Sequence, residues 1–272
     1  MKLLQKGSFF YFCHMQNDKP IGLFDSGIGG TSIWREIRQL LPHEDTIYLA
    51  DSKNAPYGQR PKQEIVALSE KNVDLLLQQG CKLIVVACNT ATTNAIEELR
   101  RKYQVPFVGI EPAIKPAALE SRTKSIGVLA TKGTLSSELF SKAIETYQDT
   151  KIIEQVGYNL VSLIEGGKMK SDEMTQVLQQ YLDPMIEANI DYLVLGCSHY
   201  PFLIPQIRKI LPDHVQIIDS GSAVARQTQH LLKTVTGEAG TREGRSIFHT
   251  NSDPAVLSDI LGPAYPVQKH EF

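Results

Sequence analysis

Short runs of aliphatic and β-branched residues recur along this chain, most giving way to small polar residues before a stretch with helical spacing. Ile21–Phe24, Thr46–Ala50, Leu83–Ala87, Phe107–Ile110, Ser125–Leu129, Lys151–Val156, Tyr192–Leu195 and Gln216–Ile218 read as strands. Several lack polar alternation, the pattern of strands buried on both faces of a parallel sheet. Gln63–Gln79, Thr92–Tyr103, Ser136–Thr146 and Glu173–Ala188 carry amphipathic helical spacing between them. Strands alternating with helices predict an α/β fold of mostly parallel sheet with right-handed crossovers.

The pattern also repeats at long range. Ile21-Gly22-Leu23-Phe24-Asp25-Ser26 is echoed 105 residues later by Ile126-Gly127-Val128-Leu129-Ala130-Thr131. Val85-Val86-Ala87-Cys88-Asn89-Thr90 is echoed after 109 by Val194-Leu195-Gly196-Cys197-Ser198-His199. Both echoes end where an apolar strand meets small polar residues. Two related α/β halves are therefore expected. Ligands of such sheets bind at the carboxyl ends of strands, so Cys88 and Cys197 would face one cleft from opposite sides.

The 272 residues are 42% hydrophobic, enough for a large core, and carry a formal net charge of −2. That balance gives no basic stripe for a nucleic acid, and Arg100-Arg101-Lys102 reads as a solvated helix end. No apolar run is long enough to span a membrane. Residues 1–19 read as an extension: Phe9-Phe10-Tyr11-Phe12-Cys13 is greasy but short, no cleavage pattern follows it, and Met15 is an alternative start. A cytoplasmic protein is expected. Its four cysteines are too few for a disulfide framework and should be free thiols.

Cys88 follows a buried strand and precedes Asn89-Thr90-Ala91-Thr92-Thr93, at the start of a helix whose N–H groups and dipole favour thiolate. Cys197 closes the other strand beside Ser198 and His199, and a histidine there can tune the thiol or exchange protons with it. Cys81 falls at a helix–strand junction and Cys13 in the extension, and both read as inert. Asp25-Ser26-Gly27-Ile28-Gly29-Gly30 is a glycine-rich strand-to-helix turn that fits neither a dinucleotide nor a Walker pattern. Asp219-Ser220-Gly221 is a second such turn, equally readable as a helix cap. The polar loop Asp51–Gly58 offers Tyr57-Gly58 backbone donors to a carboxylate with a phenol above it, and Glu165-Gly166-Gly167 is either a cleft residue or a C-cap.

Taken together these segments resemble the glutamate racemase (aspartate/glutamate racemase) family. The matching runs are Asp25–Gly30, Ala87–Ala91, Gly109–Ala117, Leu129–Thr134, Gly196–Pro201 and Thr250–Pro254, in family order from about Ile21 to Pro254. The resemblance implies two pseudo-symmetric α/β domains with the active site in the cleft between them: residues 20–113 with 225–272, and residues 114–224. It implies a homodimer, no cofactor, no metal, and D-glutamate production for peptidoglycan synthesis. Cys88 and Cys197 would be the proton donor and acceptor, Cys88 serving D-glutamate and Cys197 serving L-glutamate as base. Asp25, His199 and Glu165 would assist as acid–base groups. Asp25, Ser26, Tyr57, Gly58, Asn89, Thr90, Ser198 and His199 would bind substrate. Ser198 stands where threonine is usual, which keeps the hydroxyl.

The chemistry suits the residues, because moving a proton between the two faces of Cα needs a group on each side. A thiol hydrolase would leave Cys88 unexplained. A zinc site from Cys88, Cys197, His199 and Asp25 lacks the usual close ligand pairs. A non-catalytic binder of an acidic metabolite would not need two matched thiols. An aspartate racemase is the nearest rival; it usually carries an acid where this chain has His199.

Overall fold

The computed structural model describes residues 19–236 and 240–272. Cys13 and the extension up to residue 18 lie outside the described residues. The predicted alternation resolves into two parallel sheets. The strands in chain order are β1 (Ile21–Asp25), β2 (Thr46–Ala50), β3 (Leu83–Val86), β4 (Phe107–Gly109), β5 (Ser125–Ala130), β6 (Lys151–Val156), β7 (Tyr192–Gly196), β8 (Gln216–Ile218), β9 (Ser246–Thr250) and β10 (Val267–Lys269). They join as β10-β9-β2-β1-β3-β4 and as β6-β5-β7-β8. All ladders are parallel.

The internal echo is a real repeat of architecture. β2-β1-β3-β4 and β6-β5-β7-β8 have the same order and crossovers, with β1 matching β5 and β3 matching β7. The middle strands are buried throughout because helices cover both faces, which is why their sequences run apolar without alternation. β6 is an edge strand and only half-buried, and its sequence accordingly mixes Lys151 and Glu154 with isoleucines. One apolar cluster runs through both halves, joining Ile28 and Ala87 to Leu129, Leu160 and Leu195. Separate clusters fill the remaining face of each sheet.

Three expectations are corrected. The helix after β3 spans Asn89–Lys102 rather than starting at Thr92, so Cys88 is its N-cap. The stretch predicted as one helix over 136–146 is Glu138–Glu145, preceded by a separate turn of helix at Lys132–Leu135. β9 and β10 were not anticipated. They extend the first sheet beyond β2 through parallel ladders, and side-chain packing from distant elements secures them. Trp34 meets Phe248 of β9 and Tyr265 edge-on, each with ring centroids 4.8 Å apart. Its Nε1 donates to Thr46 Oγ1 at 3.0 Å, and Thr46 donates to Ser246 Oγ at 2.9 Å.

Candidate active site

Both cysteines sit at the carboxyl ends of equivalent strands. Cys88 lies just past β3, where its Sγ accepts from the Ala91 N–H at 3.4 Å and lies 3.7 Å from Ser26 Oγ. Cys197 lies just past β7, with Sγ 3.9 Å from His199 Nδ1. Cys88 is 3% exposed and Cys197 6%, and both are free thiols. Cys81 is also a free, buried thiol; it packs in the core beside Gly22, away from this polar cluster.

A hydrogen-bonded system links the remaining predicted acid–base residues. Asp25, the last residue of β1, accepts from the Gly27 N–H at 2.8 Å and from Ser198 Oγ at 2.8 Å. His199 Nε2 lies 2.5 Å from Glu165 Oε1 and 4.0 Å from Asp25 Oδ1. Glu165 ends the helix Leu160–Glu165, followed by Gly166 as its C-cap and by Gly167 at φ +71°, while its side chain joins this hydrogen-bonded group. Its Oε1 also accepts from the Ile28 N–H at 2.7 Å and its Oε2 from Ser52 Oγ at 2.9 Å. The glycine-rich turn is what allows this approach. A Cβ on Gly27 would fall 1.9 Å from Glu165 Oε1, and one on Gly29 would fall 2.2 Å from His199 Nδ1. The turn at Asp219 makes the contact of a helix start. Its Oδ1 accepts from the Gly221 N–H at 2.7 Å, opening the helix Gly221–Leu231.

The predicted substrate residues divide. Asn89, 2% exposed, has both Nδ2 and Oδ1 buried without a hydrogen-bond partner. The Thr90 hydroxyl joins Thr131 Oγ1 at 2.8 Å and Thr134 Oγ1 at 3.3 Å, a cluster shared by the two halves. Gly58 packs against Thr131. The Tyr57 phenol does not stand over the cleft. It donates to Asp51 and accepts from Asn72 Nδ2, inside the first half, so this segment can offer a ligand its backbone but not that hydroxyl. Ser52, Thr131, Thr134 and Asn251 belong to the same polar region and were not singled out as candidates. Thr131 had a signal, since the repeat makes it the counterpart of Ser26. Ser52 and Asn251 lie within the quoted runs Asp51–Gly58 and Thr250–Pro254 but have no local mark of their own, because their roles depend on pairings 113 and 198–200 residues apart.

Burial governs the protonation states. Desolvation raises the Asp25 carboxyl above its ordinary range, partly countered by His199, Ser198 and the Gly27 N–H. Desolvation and then the charge of Asp25 push the Cys88 thiol far up, outweighing the Ala91 N–H. This reverses the sequence expectation that the helix start would favour thiolate there. Desolvation opposes charge on His199, but Cys197, Glu165 and Asp25 together hold its pKa well above 6.5, leaving a cation beside Cys197. Among the described residues no group of three His, Cys, Asp or Glu side chains converges as a metal site, and Asp25, Ser26, Asn89, Thr90, Ser198 and His199 are all buried with the thiols.

A parallel-sheet repeat that presents one thiol from each half to a shared polar centre is the architecture of a racemase. The profile of the Asp/Glu/Hydantoin racemase family matches residues 23–228. A glutamate racemase of Herpetosiphon aurantiacus is 46% identical over 245 residues, covering 89% of this chain and 96% of that one. A glutamate racemase of Ralstonia pickettii is 43% identical over 255 residues, covering 92% and 90%. Among solved structures, Escherichia coli glutamate racemase in complex with L-glutamate and the activator UDP-MurNAc-ala superposes with a TM-score of 0.83 at 33% identity, covering 93% of this chain and 98% of that one. Glutamate racemase isoform RacE1 from Bacillus anthracis also gives 0.83, at 30% identity with 94% and 98% covered. This chain belongs to the Asp/Glu/Hydantoin racemase family and is an isomerase.

Proposed function

We propose that this enzyme interconverts L- and D-glutamate by proton transfer at Cα between Cys88 and Cys197. The observation that carries the reading is the matched placement of two buried thiols at the ends of β3 and β7, in a chain whose relatives over most of its length are glutamate racemases.

In the L-to-D direction the Cys197 thiolate takes the Cα proton and becomes a thiol. The electron pair left on Cα is delocalised into the α-carboxylate, which buried donors stabilise. The Cys88 thiol then delivers its proton to the opposite face and is left as thiolate. The reverse direction exchanges the roles. The local electrostatics support this division, because burial and Asp25 keep Cys88 protonated while the His199 cation faces Cys197. Asn89, with a free donor and a free acceptor at the start of a helix, suits the substrate's charged ends. The same reading makes the enzyme a homodimeric cytoplasmic source of D-glutamate for peptidoglycan.

Incubation of the purified protein with L-glutamate, and separately with L-aspartate, followed by chiral chromatography tests the proposal. D-glutamate should accumulate without added cofactor and in the presence of EDTA, and Cys88→Ser and Cys197→Ser should each abolish it. Turnover of aspartate alone, or loss with EDTA and recovery with zinc, would overturn the reading.

A further inference from the structure

Glu165 is held from two directions. From its own half it meets His199, whose other nitrogen faces Cys197. From the first half it receives the Ile28 N–H on Oε1 and the Ser52 hydroxyl on Oε2. Oε1 thus serves both His199 and a backbone group, and the Ser52 bond is what fixes the rotation of the carboxylate about its last torsion.

Ser52 is itself held in place. It is the first residue after Asp51, and Asp51 is buried where the chain leaves β2. Asp51 accepts from Tyr57 Oη, from Asn54 Nδ2 at 2.8 Å, and from Asn251 Nδ2. Asn251 in turn takes the Lys53 N–H on its Oδ1 at 2.9 Å, so the residue that follows β9 pins both sides of Ser52. A buried carboxylate with three donors is a strong, directional anchor. Such an anchor at the base of a loop calls for a residue whose position matters, and the Ser52 hydroxyl reaches across to hydrogen-bond the other half.

We infer that Ser52 is a positioning residue for the Cys197 side of the reaction, acting through the direct contacts from Glu165 to His199 and from His199 to Cys197, whereas its link to Cys88 runs only through the longer His199–Asp25 pair and the charge of Asp25. The inference rests on the two-thiol reading above. The Ser26 hydroxyl, not Ser52, faces Cys88. Loss of the Ser52 hydroxyl should therefore impair proton abstraction from the L-enantiomer and spare abstraction from the D-enantiomer.

Racemisation itself cannot show this, because both thiols act in both directions and the equilibrium constant is one. An irreversible one-sided reaction can. With 3-chloroglutamate, one thiolate removes the Cα proton and chloride leaves Cβ. The resulting enamino acid tautomerises and takes up water to give 2-oxoglutarate and ammonium, so chloride release counts abstraction events. Ser52→Ala should lower chloride release from the L-configured analogue roughly tenfold, the loss expected for a hydrogen bond to a charged group, and leave release from the D-configured one within about twofold. Ser52→Thr, which keeps the hydroxyl, should restore the L-side rate. An equal fall on both sides, a fall confined to the D side, or no fall would overturn the inference. Cys88→Ser and Cys197→Ser measured alongside separate the two levels. If those variants eliminate from the same enantiomer, the two-thiol reading fails. If they divide by enantiomer and Ser52→Ala does not, only the role of Ser52 fails.

Discussion

Asn89 is among the few buried polar side chains in the described residues with no internal hydrogen bond on either terminal atom. A side chain kept for stability would find partners, since an unpaired buried polar group costs about 1–3 kcal/mol. Asn89→Ala should therefore leave the melting temperature unchanged or slightly higher while raising the KM for glutamate roughly tenfold or more; thermal unfolding and initial-rate kinetics check the two halves of that expectation. A drop of several degrees in melting temperature would mark it as structural. At this scale the identities of the two thiols, of Asp25 and of His199 were legible from their places after apolar strands. Their protonation was not. Chain neighbours suggest a helix start that favours thiolate at Cys88, but desolvation and Asp25, 63 residues away in sequence, decide the outcome the other way.

Among the elements, those of the repeat were the easiest to read. The inner strands of the repeat have strong apolar runs because helices cover them, β6 and β8 are more polar, and the expected limits of β1 to β8 differ from the observed ones by at most one residue. β9 and β10 were invisible for the opposite reason. β9 is partly exposed, with Ile247 43% accessible and Phe248 fully buried, and β10 is three residues long. Their stability comes from the aromatic group of Trp34, Phe248 and Tyr265 rather than from local pattern. Phe248→Ala should cost about 3–5 kcal/mol of folding free energy, as for a large aromatic removed from a packed core. Urea unfolding should show a lower midpoint. Because β9 carries Asn251 into the loop that holds Ser52, activity should also fall at temperatures where the variant remains folded.

For the molecule as a whole, the thiols and the groups around them are shut away from solvent. A substrate therefore needs this arrangement to open, and closing again over it would exclude water from the charges that develop during proton transfer. Alkylation of Cys88 and Cys197 in the native enzyme should be at least about a hundredfold slower than in the urea-unfolded chain, since reagent reaches a buried group only through transient opening. Saturating D- or L-glutamate should slow it further. Native-state rates equal to the unfolded rate, read by mass spectrometry of each cysteine, would show that the closed arrangement is not the one populated in solution.

The sequence by itself determined the α/β class, the twofold repeat, and the two cysteines at matching strand ends, because burial on both faces and strand-to-helix turns leave local signatures in residue type. It also carried the family resemblance that selected Glu165. The tertiary structure decided which groups meet: Ser52 with Glu165, Thr90 with Thr131, Asn251 with Asp51. It also decided that the Tyr57 phenol turns inward and that burial and Asp25 push the Cys88 thiol upward. Those outcomes depend on distances between segments far apart in the chain and on the water excluded between them, and neither quantity is written in local pattern.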